Sequence, residues 1–269
     1  MCPHCRAFID PSDKTCLYCD NELPTPAAKR IEREHASLGL LDQAIFTTAI
    51  ILLINAGLFA ATWILTTRFN SQASFLGGVD GRVLHMLGAK EYASILYGGD
   101  WWRLITASFL HGGLMHLAFN SMALFQLGPL CEQIFGTQRY VVIYIVSGVT
   151  GYLASLFWTP ALSIGASASI CGLLGALFAY GRMSNNTMIS SSTTRWIVFL
   201  AIYGVLVDHI DNAAHAGGLV GGFALAYLAG TPSVRDEKET IWQGAATVVV
   251  LISVAAFFLA YQNFAAATK

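Results

Sequence analysis

Residues 163–177 read SIGASASICGLLGAL, an apolar run that holds three serines and three glycines. Ala168, Gly172 and Ala176 recur at every fourth position within it, the spacing that lets two membrane helices approach backbone to backbone. A second segment, NAAHAGGLVGGFALAY (212–227), repeats the spacing at Gly218, Gly222 and Ala226. The two segments read as helices packed on one another. The question they raise is what a serine at the start of one, and a histidine at the start of the other, do in that setting.

The rest of the chain supplies the setting. Charged residues make up 12% of it, against about a quarter in ordinary soluble domains, and 55% is hydrophobic. A helix crosses a bilayer with about 20 predominantly apolar residues. Seven stretches qualify or come near: 43–66, 109–129, 140–158, 165–183, 196–207, 212–230 and 241–264, of which the fifth is short. The fold class expected is therefore an all-α polytopic membrane protein. The first forty residues are polar and cysteine-bearing, unlike a cleavable signal peptide. With the N-terminus inside, ten Lys and Arg residues fall on inner segments and five on outer ones, so the N-terminus is expected in the cytosol. If the source is bacterial, the membrane is the plasma (inner) membrane. A net charge of −1 gives no reason to expect nucleic acid.

Ahead of the first span, MCPHCRAFIDPSDKTCLYCDNEL places Cys2 with Cys5 and Cys16 with Cys19 in two C-x-x-C pairs. Two such hairpins converge four thiolates on one point, which suits a structural Zn²⁺ held tetrahedrally. A disulfide pair is disfavoured in a reducing cytosol, and a redox C-x-x-C lacks a surrounding strand and helix pattern. His4 is a spare ligand. Residues 1–24 thus read as a zinc-ribbon-like knuckle that docks a cytosolic protein partner, and residues 25–41 as a proline-started linker ending in a charged amphipathic segment at the lipid surface.

Inside the spans, polar groups are few and each is a functional hypothesis. His116 and Asn120 share a helical face in the second span, with His111 just before them. Asp211 stands one turn from His215 at the start of the sixth. Spans two, four and six run in the same direction, so His111, Ser167 and His215 lie at one depth near their outer ends. A serine hydroxyl becomes a nucleophile when a neutral imidazole takes its proton. The free N–H groups of a helix start can stabilise the oxyanion that follows attack. Taken singly, Ser167 also reads as an N-cap or a packing residue, and each histidine as a partner of a carbonyl or part of a proton path. The coincidence at one depth favours chemistry. Ser169 lies about 200° around the helix from Ser167 and belongs to another face.

These residues resemble the rhomboid intramembrane serine proteases across 42–230. The likeness is carried by WWRLITASFLHGGLMHLAFN (101–120), ending in His116-x-x-x-Asn120; by GASASICGLLGAL (165–177), with Gly165 and Ser167 in the G-x-S register; by NAAHAGGLVGG (212–222); and by Arg103 after Trp102 and Glu132 near the inner end of span two. The resemblance implies a six-helix bundle, followed over 231–269 by a loop and a seventh, C-terminal helix. It implies an endopeptidase that cleaves single-span or other transmembrane proteins with a Ser167–His215 dyad. Asp211 is not a member of that dyad and reads as a helix cap. His116, Asn120 and the Ser167 N–H would hold the oxyanion, His111 would be an auxiliary cavity residue, and no cofactor would take part in catalysis. Two positions depart from the family pattern: Ala168 replaces a glycine, and Cys171 replaces an aromatic residue that stacks on the histidine. A rhomboid relative that binds transmembrane helices without cleaving them is the alternative. A transporter using histidine relays is a third reading, for which no inverted repeat is visible.

Metal analysis of the purified protein is expected to return about one zinc ion per chain if all four thiolates are ligands. A folded, fully reduced and zinc-free tail would overturn the knuckle.

Overall fold

The computed structural model describes Thr15, Cys16, Cys19, Asn21 and residues 43–69, 78–207, 210–230 and 238–268. It divides into a unit 1–43 and a unit 44–269. In the first, Cys16 is buried, its N–H donates to Asn21 O at 2.9 Å, and the Asn21 amide donates to Cys19 Sγ at 3.6 Å. Cys2, Cys5 and His4, with the whole of the linker 25–41, lie outside the described residues.

In the second unit the described residues are helices joined by turns, with one isolated antiparallel bridge between Lys90 and Ser163. α1 spans Gln43–Phe69, α2 Gly81–Met86, α3 Tyr92–Leu96 and α4 Arg103–Thr106, which runs into a 3₁₀ turn at Ala107–Phe109. α5 is Leu114–Trp158, α6 Ser167–Met183, α7 Thr187–Leu206, α8 Asn212–Ala229 and α9 Lys238–Ala267. This is an all-helical membrane protein. Among the described residues, four helical stretches are long and apolar enough to cross a bilayer: Ile45–Phe69, Leu114–Trp158, Thr187–Leu206 and Glu239–Ala267.

The boundaries differ from the sequence expectations for definite reasons. Pro129 does not end the second span, because a proline is tolerated where neighbouring membrane helices take up the freed backbone group. The turn comes at Gly136, whose φ of 77° and ψ of 159° break α5 into two arms, a left-handed conformation that glycine adopts without steric cost. The short fifth span, expected over 196–207, begins at Thr187 instead. Its Ser/Thr-rich opening is helical, with the hydroxyls turned back on their own helix: Thr193 donates to Ile189 O and Thr194 to Ser190 O, both at 2.7 Å. Asn186 caps the helix by accepting the Ile189 N–H at 3.1 Å. The second span starts at Leu114 rather than 109, because residues 81–109 fold into short helices of their own.

That segment is held as firmly as the spans. Arg103, fully buried, donates to Asp100 Oδ2 at 2.9 Å, His85 O at 2.6 Å and Ala89 O at 3.2 Å. From the far end of the chain, Asn263 on α9 donates to Met86 O at 2.8 Å, and Phe257 packs edge-on against Phe109 with ring centroids 5.4 Å apart. α9 is also tied to α5, where Arg139 donates to both oxygens of Glu239 at 2.7 and 2.8 Å.

α6, α8 and the second arm of α5 form the core. A side-chain carbon built on Gly218 would overlap Ala168 O, one on Gly222 would overlap Gly172 O, and one on Gly175 would overlap Leu219 O. These are backbone contacts that cannot yield by a rotamer change. Gly222→Ala is expected to destabilise the protein by roughly 1–3 kcal/mol or more, read by thermal unfolding in detergent. Gly57→Ala on α1, where nothing lies within 4 Å, is expected to unfold as the native chain does.

Candidate active site

The close approach of α6 and α8 brings their N-terminal ends side by side. Ser167 is the first residue of α6 and His215 lies in the first turn of α8. His215 Nε2 stands 2.9 Å from Ser167 Oγ. His215 Nδ1 is buried with no hydrogen-bond partner among the described residues, so the imidazole is held by packing and by the serine. Asn186 and Asp211 cap α7 and α8, whereas Ala166, at the same position of α6, provides no side-chain cap. The first N–H groups of α6 are therefore open beside Ser167.

The pair lies in the wall of a cavity of about 890 Å³ that also takes in His116, Asn120 and Cys171. Its other side is apolar, formed by Met115, Phe119 and Met122 of α5 and Trp196, Phe199 and Tyr203 of α7. His116 Nδ1 accepts the Gly112 N–H at 3.4 Å. Asn120 donates to the His116 carbonyl of its own helix at 2.9 Å. His111 differs from its expected place: it is absent from the cavity wall, is fully buried and lies edge-on to His116 with ring centroids 5.2 Å apart. Both of its ring nitrogens lack partners among the described residues. Ser169 points away from the cavity, buried with its hydroxyl unpartnered, as its helical angle requires.

The approach to Ser167 is set by Gly165, already marked by the G-x-S register, and by two residues that the sequence does not mark, Tyr152 and Lys90. Gly165 has a φ of +124°, and a side-chain carbon there would lie 2.7 Å from His116 Nε2, so only glycine fits beside the histidine. Its N–H donates to Ala107 O at 2.9 Å, and its carbonyl accepts Tyr152 OH at 2.7 Å. Lys90, fully buried, donates to Thr159 O at 2.7 Å, Ala161 O at 3.2 Å and Ser155 O at 3.3 Å, closing the end of α5. Burial pulls its ammonium pKa below the ordinary lysine range, with Asp211 and Glu91 acting in the opposite sense. Neither residue has a sequence signal: one is a single tyrosine in an apolar arm, the other a single cation in a connecting segment.

A family model, the Rhomboid domain, matches residues 98–232, which include every residue of the cavity. The chain belongs to the rhomboid family. It is similar to Rhomboid protease GluP of Bacillus subtilis (strain 168), with 40% identity over 189 residues that make up 69% of this chain and 36% of GluP. It is also similar to RHOMBOID-like protein 6, mitochondrial, of Arabidopsis thaliana, with 36% identity over 157 residues, 56% of this chain and 51% of that protein. The chain thus spans about a third of the bacterial relative's length and half of the plant relative's. In this rhomboid the Trp-Arg element is built as a buried fork, with Arg103 stacked 4.7 Å over the Trp102 ring. Glu132 accepts hydrogen bonds from Thr47 on α1 and from Thr137, the latter at 2.8 Å, bridging α1 to both arms of α5.

Tyr152→Phe leaves the buried Gly165 carbonyl without its partner and is expected to cost about 1–3 kcal/mol, measured by thermal unfolding in detergent. Gly165→Ala, which combines an unfavourable φ with a clash against His116, is expected to cost more.

Proposed function

We propose that this rhomboid is an intramembrane serine endopeptidase that cleaves transmembrane segments of other membrane proteins. The observation that carries the reading is the 2.9 Å contact between Ser167 Oγ and His215 Nε2 at the uncapped start of a helix, in a cavity whose opposite wall is apolar. His215 Nε2 takes the Ser167 proton as Oγ attacks the scissile carbonyl. The oxyanion is held by the first N–H groups of α6 and by the His116 and Asn120 side chains, which line the same cavity. An aligned amide donor of this kind is worth about 3–4 kcal/mol to the transition state. Collapse of the tetrahedral species breaks the C–N bond, and His215 returns the proton to the leaving amine. The acyl enzyme is then hydrolysed by a water that the same imidazole deprotonates. The substrate is a lipid-embedded helix of a single-span or other transmembrane protein that meets the Met115, Phe119 and Phe199 side.

The finer architecture follows the same reading. Both arms of α5 and the shorter α6 and α8 cross the membrane with α1 and α7, giving six crossings over 42–230, and α9 is a seventh. The N-terminus lies in the cytosol on the balance of Lys and Arg residues. The tail binds a structural zinc through Cys2, Cys5, Cys16 and Cys19 and docks a cytosolic partner, a reading that rests on the two C-x-x-C pairs of the sequence.

A fluorophosphonate probe is expected to label the detergent-solubilised native chain and Ser169→Ala, and to leave Ser167→Ala and His215→Ala unlabelled. A folded native chain that takes no label would sink the protease reading in favour of a helix-binding one. Label retained by Ser167→Ala would move the nucleophile elsewhere.

A further inference from the structure

We infer that Asp211, with Ser155, Ser163 and Lys90, forms a polar clamp that sets the position of Ser167 relative to His215. This role rests on the dyad reading above, and it goes beyond the helix cap that the position of Asp211 suggests. Oδ1 of Asp211 does cap α8, accepting the Ala214 N–H at 2.9 Å. Oδ2 faces away from the helix and accepts two hydroxyls, that of Ser155 near the end of α5 and that of Ser163, at 2.6 Å, in the segment leading into α6. One carboxylate therefore joins three separate segments.

The sequence spacing gives the clamp its leverage. Asp211 precedes His215 by four residues, and Ser163 precedes Ser167 by four. Fixing Asp211 to Ser163 fixes the roots of the two segments whose tips meet at the dyad. A fourth segment closes the arrangement from the side of α2 and α3. Lys90 pairs with Ser163 in both backbone directions, at 3.0 and 2.9 Å, and its ammonium takes the Ser155, Thr159 and Ala161 carbonyls. A carboxylate accepts at both oxygens and donates at neither, so three donors can converge on it, and charge-assisted bonds are short and stiff. The Asp211 carboxylate does not bond to the His215 ring: its bonds go to Ala214, Ser155 and Ser163, and the only link to His215 is the backbone one, in which the His215 N–H donates to the Asp211 carbonyl at 3.1 Å. It is a positioning residue.

The test separates the clamp from the cap. Ser155→Ala/Ser163→Ala keeps Asp211 and its bond to Ala214 and removes both hydroxyls. Fluorophosphonate labelling of the detergent-solubilised full chain, normalised to the folded fraction from thermal unfolding, is expected to slow about tenfold or more, since displacements near 1 Å in a reacting pair cost up to about 100-fold. The KM for a transmembrane substrate should stay within about twofold while kcat falls with the labelling rate. Asn186→Ala, which removes a comparable cap from α7, should label at the native rate. Asp211→Ala should be at least as slow as the double serine variant, and the triple variant no slower than Asp211→Ala. If Asp211→Ala does not fold, Ser163→Ala alone, which retains the cap, should still slow labelling by several-fold. Native-rate labelling of Ser155→Ala/Ser163→Ala, or losses that simply multiply in the triple variant, would overturn the clamp while leaving the dyad intact. Failure of the native chain to label would overturn the dyad and this role together.

Discussion

Everything at the site follows from the distance at which α6 and α8 run past each other. Lipid gives little reward for burying leucine against leucine, so membrane helices associate through close van der Waals packing and short polar contacts. Here Ala168 and Gly172 on one helix meet Gly218 and Gly222 on the other with no side chain between the backbones. Had larger residues held the helices apart, a serine and a histidine at their ends could not share a hydrogen bond. The same packing keeps α6 stiff behind its first residue, so the open N–H groups of its start point at a defined place.

Polar chemistry inside such a bundle requires that other polar groups be satisfied around it. Arg103, Lys90 and Asp211 serve this purpose, each with two or more hydrogen-bond partners. They sit where chain segments leave the helices, and there they tie carbonyls and hydroxyls that would otherwise be unpaired in a poorly solvated layer. The segment 81–109 is for this reason a folded element of the protein, fixed by the Arg103 fork on one side and by Asn263 and Phe257 of α9 on the other. The C-terminal helix contributes to the side of the bundle that carries the site, far in sequence from any motif.

The sequence motifs were legible because their spacing has geometric meaning in a helix. Ser167, His215, His116 and Asn120 could be selected by depth and by face, and the structure brings all four to one cavity. His111 could be matched in depth but not in direction, since it precedes α5 and its side chain turns behind His116. The spans expected over 109–129 and 196–207 are both longer in the structure for a common reason: in lipid, backbone and hydroxyl groups find partners within the bundle, so neither Pro129 nor the Ser/Thr run at 190–194 ends a helix here.

Composition, the fourfold recurrence of small residues and the register of Ser167 and His215 were enough to determine a helical membrane protein, the helix pair at its centre and the serine and histidine that the structure sets side by side. These are local or periodic properties, and one chain displays them without its fold. The tertiary structure alone decided the break at Gly136, the burial of Arg103 and Lys90, the reach of Tyr152 to Gly165, and the convergence of Ser155 and Ser163 on Asp211. Each of these joins residues far apart in the chain through a single hydrogen bond or a single torsion, and such pairings leave no periodic trace in the sequence.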